Sequence, residues 1–178
     1  LGRATAAEAT GDDPPAPTVE EPSGPAGAAA AQPRPGAATT RAFGAWRLTC
    51  RSGTAEARSQ GCTAVLQVAK KESGQAVFVW RLGRIADGRL VTSFVTLTGV
   101  AIKPGVELAL GRAPLRRVGF STCEPTQCTA NAVVDEALTQ DLLAVEKATI
   151  VVRGSNGKAM TLEVPLAGTG EVLAALRR

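Results

Sequence analysis

Four cysteines are the side chains in this sequence with the best-defined chemistry. Eleven residues separate Cys50 from Cys62, and four separate Cys123 from Cys128. Four thiolates can hold a zinc ion, but structural zinc sites usually contain tight C-x-x-C pairs, which this sequence lacks. An even number of cysteines in a small domain otherwise indicates disulfides. Because disulfides persist in oxidising compartments, the sequence predicts a protein of the periplasm, the cell surface or the extracellular space.

Four cysteines can pair in three ways. We favour Cys50–Cys62 and Cys123–Cys128, because each pair brackets a polar, turn-like segment and can lie at facing ends of two antiparallel strands. Closing such short loops stabilises a fold by roughly 2–3 kcal/mol per disulfide in the loop-entropy treatment.

Catalytic chemistry is restricted by what the chain lacks. It contains no His and no Tyr, which excludes imidazole acid–base catalysis, Ser-His-Asp triads and most zinc and iron sites. Asp135 or Glu136 together with Asp141 would resemble a catalytic carboxylate pair. These positions, however, fall on different faces of a predicted helix that Asp135 begins. The serines Ser59, Ser93 and Ser121 have no His to activate them. We therefore predict no catalytic, cofactor or metal-binding residue, and no enzymatic activity.

The charge of the chain favours acidic partners. It has 20 Lys and Arg against 16 Asp and Glu, a formal charge of +4. Arginine forks suit sulfate and phosphate. Because Arg112, Arg116 and Arg117 share one predicted loop, that loop is a candidate anion-binding site for lipopolysaccharide or a sulfated glycan. Arg81, Arg84 and Arg89 surround one hairpin. The alternative is that the net positive charge has no specific partner and only keeps a small domain soluble.

Nucleic acid is a poor candidate partner. Single-stranded nucleic acid is bound on exposed aromatic side chains. The chain has only two Trp and four Phe, and the core requires most of them.

The first 42 residues differ from the rest of the chain. They hold 7 of the 11 prolines but only Leu1 and Val19 from the large apolar set, so they cannot repay their own ordering entropy. We predict a disordered tail or linker over 1–42 and one domain over 43–178. Ala4-Thr5-Ala6 resembles a signal-peptidase site, which predicts that an export signal has been removed. No apolar run reaches the roughly 18 residues of a membrane-spanning helix.

The remaining residues alternate in the manner of short strands. The pattern predicts strands over 43–50, 62–68, 75–85, 90–100, 106–110, 118–123, 128–134, 148–153 and 159–166. Strands 75–85 and 90–100 are apolar on both sides, so we place them centrally in a sheet. Helices are predicted over 135–145 and 170–178. Many short strands without βαβ alternation indicate an antiparallel sandwich or barrel.

Several motifs, in this order and spacing, resemble one family of bacterial envelope proteins. They are Phe43-Gly-x-Trp-x-x-x-Cys50, Lys103-Pro-Gly-Val-Glu-Leu108, Gly119-Phe-x-x-Cys-x-x-x-x-Cys-x-Ala130 and the helix carrying Asp135, Leu138 and Leu142. The chain from Phe43 onwards is thus similar to the invasion-associated locus B family of Gram-negative bacteria. The resemblance implies an exported, non-enzymatic protein with an immunoglobulin-like β-sandwich. It further implies a role in host-cell entry in pathogenic members, through an unknown protein or glycan partner at the envelope.

Three positions depart from the family pattern. Ala45 stands where an acidic residue is usual, Gln127 where Gly is usual, and Thr169 where Phe is usual. We expect the change at Thr169 to weaken the docking of the last helix.

Overall fold

The computed structural model describes residues 38–51 and 61–178. These residues form eleven strands and two helices. Nine of the strands and both helices lie close to predicted positions, whereas residues 38–43 and 116–118 form two further strands. The prediction that Arg116 and Arg117 lie in a loop was wrong, because their backbone pairs with that of residues 107 and 108. The strands are β1 (Ala38–Phe43), β2 (Trp46–Arg51), β3 (Cys62–Ala69), β4 (Ala76–Arg84), β5 (Leu90–Leu97), β6 (Val106–Ala109), β7 (Arg116–Val118), β8 (Phe120–Cys123), β9 (Gln127–Val133), β10 (Lys147–Arg153) and β11 (Ala159–Pro165). The helices are α1 (Glu136–Leu143) and α2 (Thr169–Arg177). No helix in the described ranges is long and apolar enough to cross a membrane.

The strands form two antiparallel sheets. The larger has seven strands in the order β1-β2-β3-β4-β5-β9-β8, and the smaller has four in the order β11-β10-β6-β7. All strand pairs are antiparallel, and β4 and β5 lie in the interior of the larger sheet, as predicted. Of the two architectures left open by the sequence, the β-sandwich is confirmed.

The core between the sheets is built around aromatic side chains of the larger sheet. Trp46, Trp80, Phe78 and Phe94 are fully buried. The Trp46 and Trp80 rings meet edge to face at 5.7 Å, and Trp80 contacts Phe94 at 5.0 Å between centroids. Such rings bury large apolar areas, while each indole N–H needs a partner. Trp80 Nε1 donates to Thr92 Oγ1 at 2.7 Å.

The first strand begins before the predicted domain boundary at residue 43. β1 starts at Ala38 and pairs with β2 along its whole length, from Ala38 opposite Arg51 to Phe43 opposite Trp46. Residues 38–42 therefore belong to the sheet, and the end of the predicted tail is corrected to that extent. The strand escaped prediction because it is an exposed edge strand whose pairing comes from the backbone and not from an apolar pattern. The predicted disorder of 1–37 lies outside the described residues.

Helix α1 is capped as the sequence predicts. The Asp135 carboxylate accepts the backbone N–H of Leu138 at 2.6 Å, which satisfies one free donor of the first turn. Leu138 and Leu142 are buried on the apolar face. The helix ends at Leu143, within two residues of the predicted end.

Helix α2 docks on the turn between β1 and β2, and Thr169 contributes to that docking. Trp46 Nε1 donates to Thr169 Oγ1 at 3.0 Å across 123 residues of sequence. The expectation that Thr169 docks the helix more weakly than the usual Phe stays a prediction; the structure shows that the Thr169 hydroxyl satisfies a buried indole N–H. Just before the helix, Gly168 has φ of 87°, and a Cβ there would overlap the Phe43 carbonyl. Only glycine allows the two backbones to approach this closely.

Candidate functional site

Both predicted disulfides are confirmed. Cys50 and Cys62 lie directly opposite each other on β2 and β3, with Cα atoms 4.0 Å apart. Cys123 and Cys128 occupy the same relation on β8 and β9, also with Cα atoms 4.0 Å apart. Each bond thus closes the end of a hairpin, and the described residues contain no free cysteine. No thiol is left for nucleophilic or redox chemistry at these positions.

The acidic residues considered for catalysis make structural contacts. Asp135 caps α1, and Asp141 Oδ2 lies 3.0 Å from Arg116 Nη2. Glu136 accepts a hydrogen bond from Gln140 at 2.7 Å. Within the described part of the chain, no three His, Cys, Asp or Glu side chains come close enough to share a metal ion.

The serines are engaged too. Ser93 Oγ donates to Asn131 Oδ1 at 2.6 Å, and Ser121 Oγ donates to the Thr129 carbonyl at 3.0 Å. Ser59 lies outside the described residues. The geometry therefore brings no base to either described hydroxyl.

The three arginines of the predicted anion site do not form one cluster. Arg116 is held by α1, 3.0 Å from Asp141 and 3.9 Å from Asp135. Arg117 lies on the opposite face of β7, where its Nε is 3.2 Å from the carboxylate of Glu107. Arg112 is exposed and has no ion pair within the described residues. Two of the three guanidinium groups are thus already neutralised by carboxylates.

The other arginine group is also dispersed. Arg84 donates from Nε to the Leu176 carbonyl at 2.6 Å and so holds the C-terminal end of α2. Arg89 binds Asp87 in the β4–β5 turn at 2.7 Å. The backbone N–H of Arg89, and then its side chain, lower the pKa of Asp87. Of these three arginines, only Arg81 is exposed and without an ion pair to the part of the chain that the structure describes.

Arg81 belongs to a surface that the sequence reasoning missed. Three exposed arginines, Arg47, Arg51 and Arg81, lie on the outer face of the seven-stranded sheet. The seven strands of this sheet contain no Asp or Glu. That compositional bias was visible in the sequence, but it becomes a surface only when the strands are placed side by side.

A separate cleft of about 290 Å³ opens at one end of the sandwich. Its wall includes Val77, Leu97 and Met160, with Lys70 and Lys158 among the polar residues. Thr96, also in the wall, has a buried hydroxyl without a hydrogen-bond partner. The cleft has the apolar lining of a small-molecule site, but no carboxylate lines it.

The fold and the two hairpin disulfides define a class: a disulfide-bonded antiparallel β-sandwich with two short helices. The family model described as "Invasion associated locus B (IalB) protein" matches residues 46–177. The chain therefore belongs to the invasion-associated locus B family. No curated protein matches the chain.

A crystal structure shows the same fold. Invasion associated protein B from Bartonella henselae superposes with a TM-score of 0.65 at 21% sequence identity, covering 78% of this chain and 95% of the other. At this identity the likeness concerns the fold, which agrees with the sandwich described above.

Proposed function

We propose that this protein is exported and acts in the periplasm or at the cell surface as a non-enzymatic interaction module. The observation that carries the proposal is the pairing of all four cysteines in two disulfides. Such bonds are stable in oxidising compartments and rare in the bacterial cytosol. Membership of the invasion-associated locus B family supports the same location.

A binding role is favoured over catalysis by how the reactive side chains are used. The candidate carboxylates cap a helix or pair with cations, and the described candidate serines donate to amide and carbonyl oxygens. A site for hydrolysis needs a base beside its nucleophile, and neither Ser93 nor Ser121 has one among the described residues. A contribution to host-cell entry is part of the proposal, supported by the family name and by the Bartonella henselae protein's description as invasion associated.

Fractionation combined with thiol trapping tests this proposal. Cells of the source organism are treated with a maleimide-polyethylene glycol reagent before and after reduction, and the protein is followed by immunoblot. We expect it in the periplasmic or surface fraction, unmodified until reduction and then carrying four reagent molecules. A cytosolic protein with four reactive thiols would overturn the proposal.

The alternative function, polyanion binding through Arg112, Arg116 and Arg117, stays a prediction. Its test is retention on heparin, which should fall when the three are replaced by alanine. The ion pairs of Arg116 and Arg117 weigh against this loop, since an anion would have to displace a carboxylate from each. The unpaired arginines of the larger sheet favour a different surface.

A further inference from the structure

The outer face of the seven-stranded sheet is positively charged because acidic residues are absent from its strands. The carboxylates next to these strands sit in turns, as Glu72, Asp87 and Glu124 do. Those of the four-stranded sheet sit on the strands themselves, where Glu107 pairs with Arg117 and Glu163 with Lys147. Within the described residues, the strand cations of the smaller sheet therefore pair with carboxylates, whereas those of the larger sheet form no ion pair.

The strand register places two of the arginines in one row. Arg47 lies opposite Val65, and Val65 lies opposite Arg81, so the three side chains share a face. Two strand spacings separate the arginine Cα atoms by roughly 10 Å. Both side chains are exposed, and neither forms an ion pair within the described residues. Val65 lies between them and is half-buried, so a small apolar surface separates the two guanidinium groups.

The same row continues as a line of neutral hydrogen-bonding groups. Arg81 lies opposite Ser93, and Ser93 lies opposite Asn131. Asn131 Nδ2 also donates to Ser121 Oγ at 2.8 Å, which carries the line to β8. Beside Arg47, a shallow depression of about 420 Å³ is lined by Val65 and Gln67. The row thus runs from two guanidinium groups into a line of neutral hydrogen-bonding groups across the sheet.

From this arrangement we propose that the outer face of the seven-stranded sheet binds a sulfated polysaccharide chain lying across the strands at Arg47 and Arg81. Guanidinium forks suit sulfate and carboxylate oxygens, and sugar hydroxyls suit the serine and asparagine groups further along the row. The absence of carboxylates from the strands removes the charge that would repel such a chain. This inference rests on the proposed role as an exported interaction module.

Two other anionic partners, nucleic acid and an anionic membrane surface, fit this face less well. Nucleic acid strands stack on exposed aromatic rings, whereas Trp46 and Trp80 are fully buried. Membrane binding needs bulky apolar side chains that insert together between lipids. The exposed apolar residues of this face, Leu97 and Val133, lie at opposite ends of the β5–β9 pair, and the central Val65, Val79 and Val95 are half-buried or buried.

The test measures binding of the full, oxidised chain to immobilised heparin oligosaccharide by biolayer interferometry. The variant Arg47→Gln/Arg81→Gln removes two charges from the row. The matched control Lys103→Gln/Arg178→Gln removes two exposed charges elsewhere that also have no ion pair in the described structure. Thermal unfolding of each variant verifies the fold. The variant Arg47→Lys/Arg81→Lys keeps both charges and removes the guanidinium forks, so it tests whether charge alone is enough for heparin binding.

We expect the row variant to bind heparin roughly three- to thirtyfold more weakly, as two charged contacts of ordinary surface strength predict. The control should change less than about twofold, and the lysine variant should recover part of the loss. Equal losses in the row variant and the control would overturn the proposal, as would no binding by the wild type. Tighter binding to phosphatidylglycerol vesicles or to single-stranded DNA of equal charge would overturn it too.

Failure of this inference is separable from failure of the proposed function. A periplasmic or surface protein with two disulfides that ignores heparin keeps its role as an interaction module and loses only this ligand. A cytosolic, reduced protein loses the proposed function whatever it binds in vitro.

Discussion

Replacing Thr169 with valine removes one hydroxyl from the contact that docks α2 on the β1–β2 turn. Thr169 is 3% exposed, and its Oγ1 accepts the indole N–H of Trp46 at 3.0 Å. The same hydroxyl donates to the Leu166 carbonyl at 2.6 Å, but that carbonyl also accepts the backbone N–H of Thr169 at 3.0 Å. Since valine has nearly the same shape, the main loss falls on the Trp46 N–H, which stays buried without an acceptor.

A buried donor left unsatisfied costs about 1–3 kcal/mol. For a domain of this size, a loss near the middle of that range lowers the melting temperature by roughly 6–10 °C. Thr169→Ser is the matched control, because it keeps the acceptor and removes only a methyl group. We expect the serine variant to lose less stability than the valine variant, even though serine is the more polar residue.

Guanidinium denaturation of the oxidised protein, followed by tryptophan fluorescence, measures both variants. Trp46 and Trp80 are fully buried in the native state, so unfolding exposes both reporters. If Thr169→Val stays within about 0.5 kcal/mol of the wild type while Thr169→Ser is less stable, the hydroxyl does not hold the helix. The docking would then come from packing alone.

Two further predictions concern the disulfides and a turn. The Cys50–Cys62 disulfide spans 12 positions and the Cys123–Cys128 disulfide 5, so loop entropy predicts that replacing each pair by alanine costs about 2.8 and about 2.1 kcal/mol. Urea denaturation measures both, and a larger loss for the shorter loop would contradict the entropic account. The pKa of Asp87 is lowered in the native state, so its contribution to stability is present above the unfolded pKa and is lost as pH falls through the folded one. Arg89→Ala removes only the side-chain partner, so an NMR titration should find this pKa still lowered; a full return to the ordinary value would refute the primary role of the backbone N–H.

Local patterns predicted the elements and the disulfides well for a physical reason. Each cysteine pair belongs to one hairpin, so sequence neighbours become spatial neighbours across the turn. Asp135 acts on an N–H three residues away. By contrast, β1 was missed because its pairing with β2 needs no apolar side chains, only a free sheet edge.

The candidate binding residues depended on contacts between distant parts of the chain. The sequence predicts that Arg116 binds an anion, but in the structure it contacts Asp141, which lies 25 residues further along the chain. The sequence does not show that Arg47 and Arg81 share a row, because the row forms only when β3 pairs with β2 on one side and β4 on the other. The acceptor for Trp46 is 123 residues away.

Composition and spacing were enough to predict a mainly β domain with two hairpin disulfides and no imidazole chemistry. Those properties follow from composition and short-range periodicity, which do not depend on how the sheets meet. Only the tertiary structure decided which arginines are neutralised and which are exposed on a face without carboxylates. Charge pairing depends on distances across strands and between sheets, and residue spacing along the chain does not contain those distances.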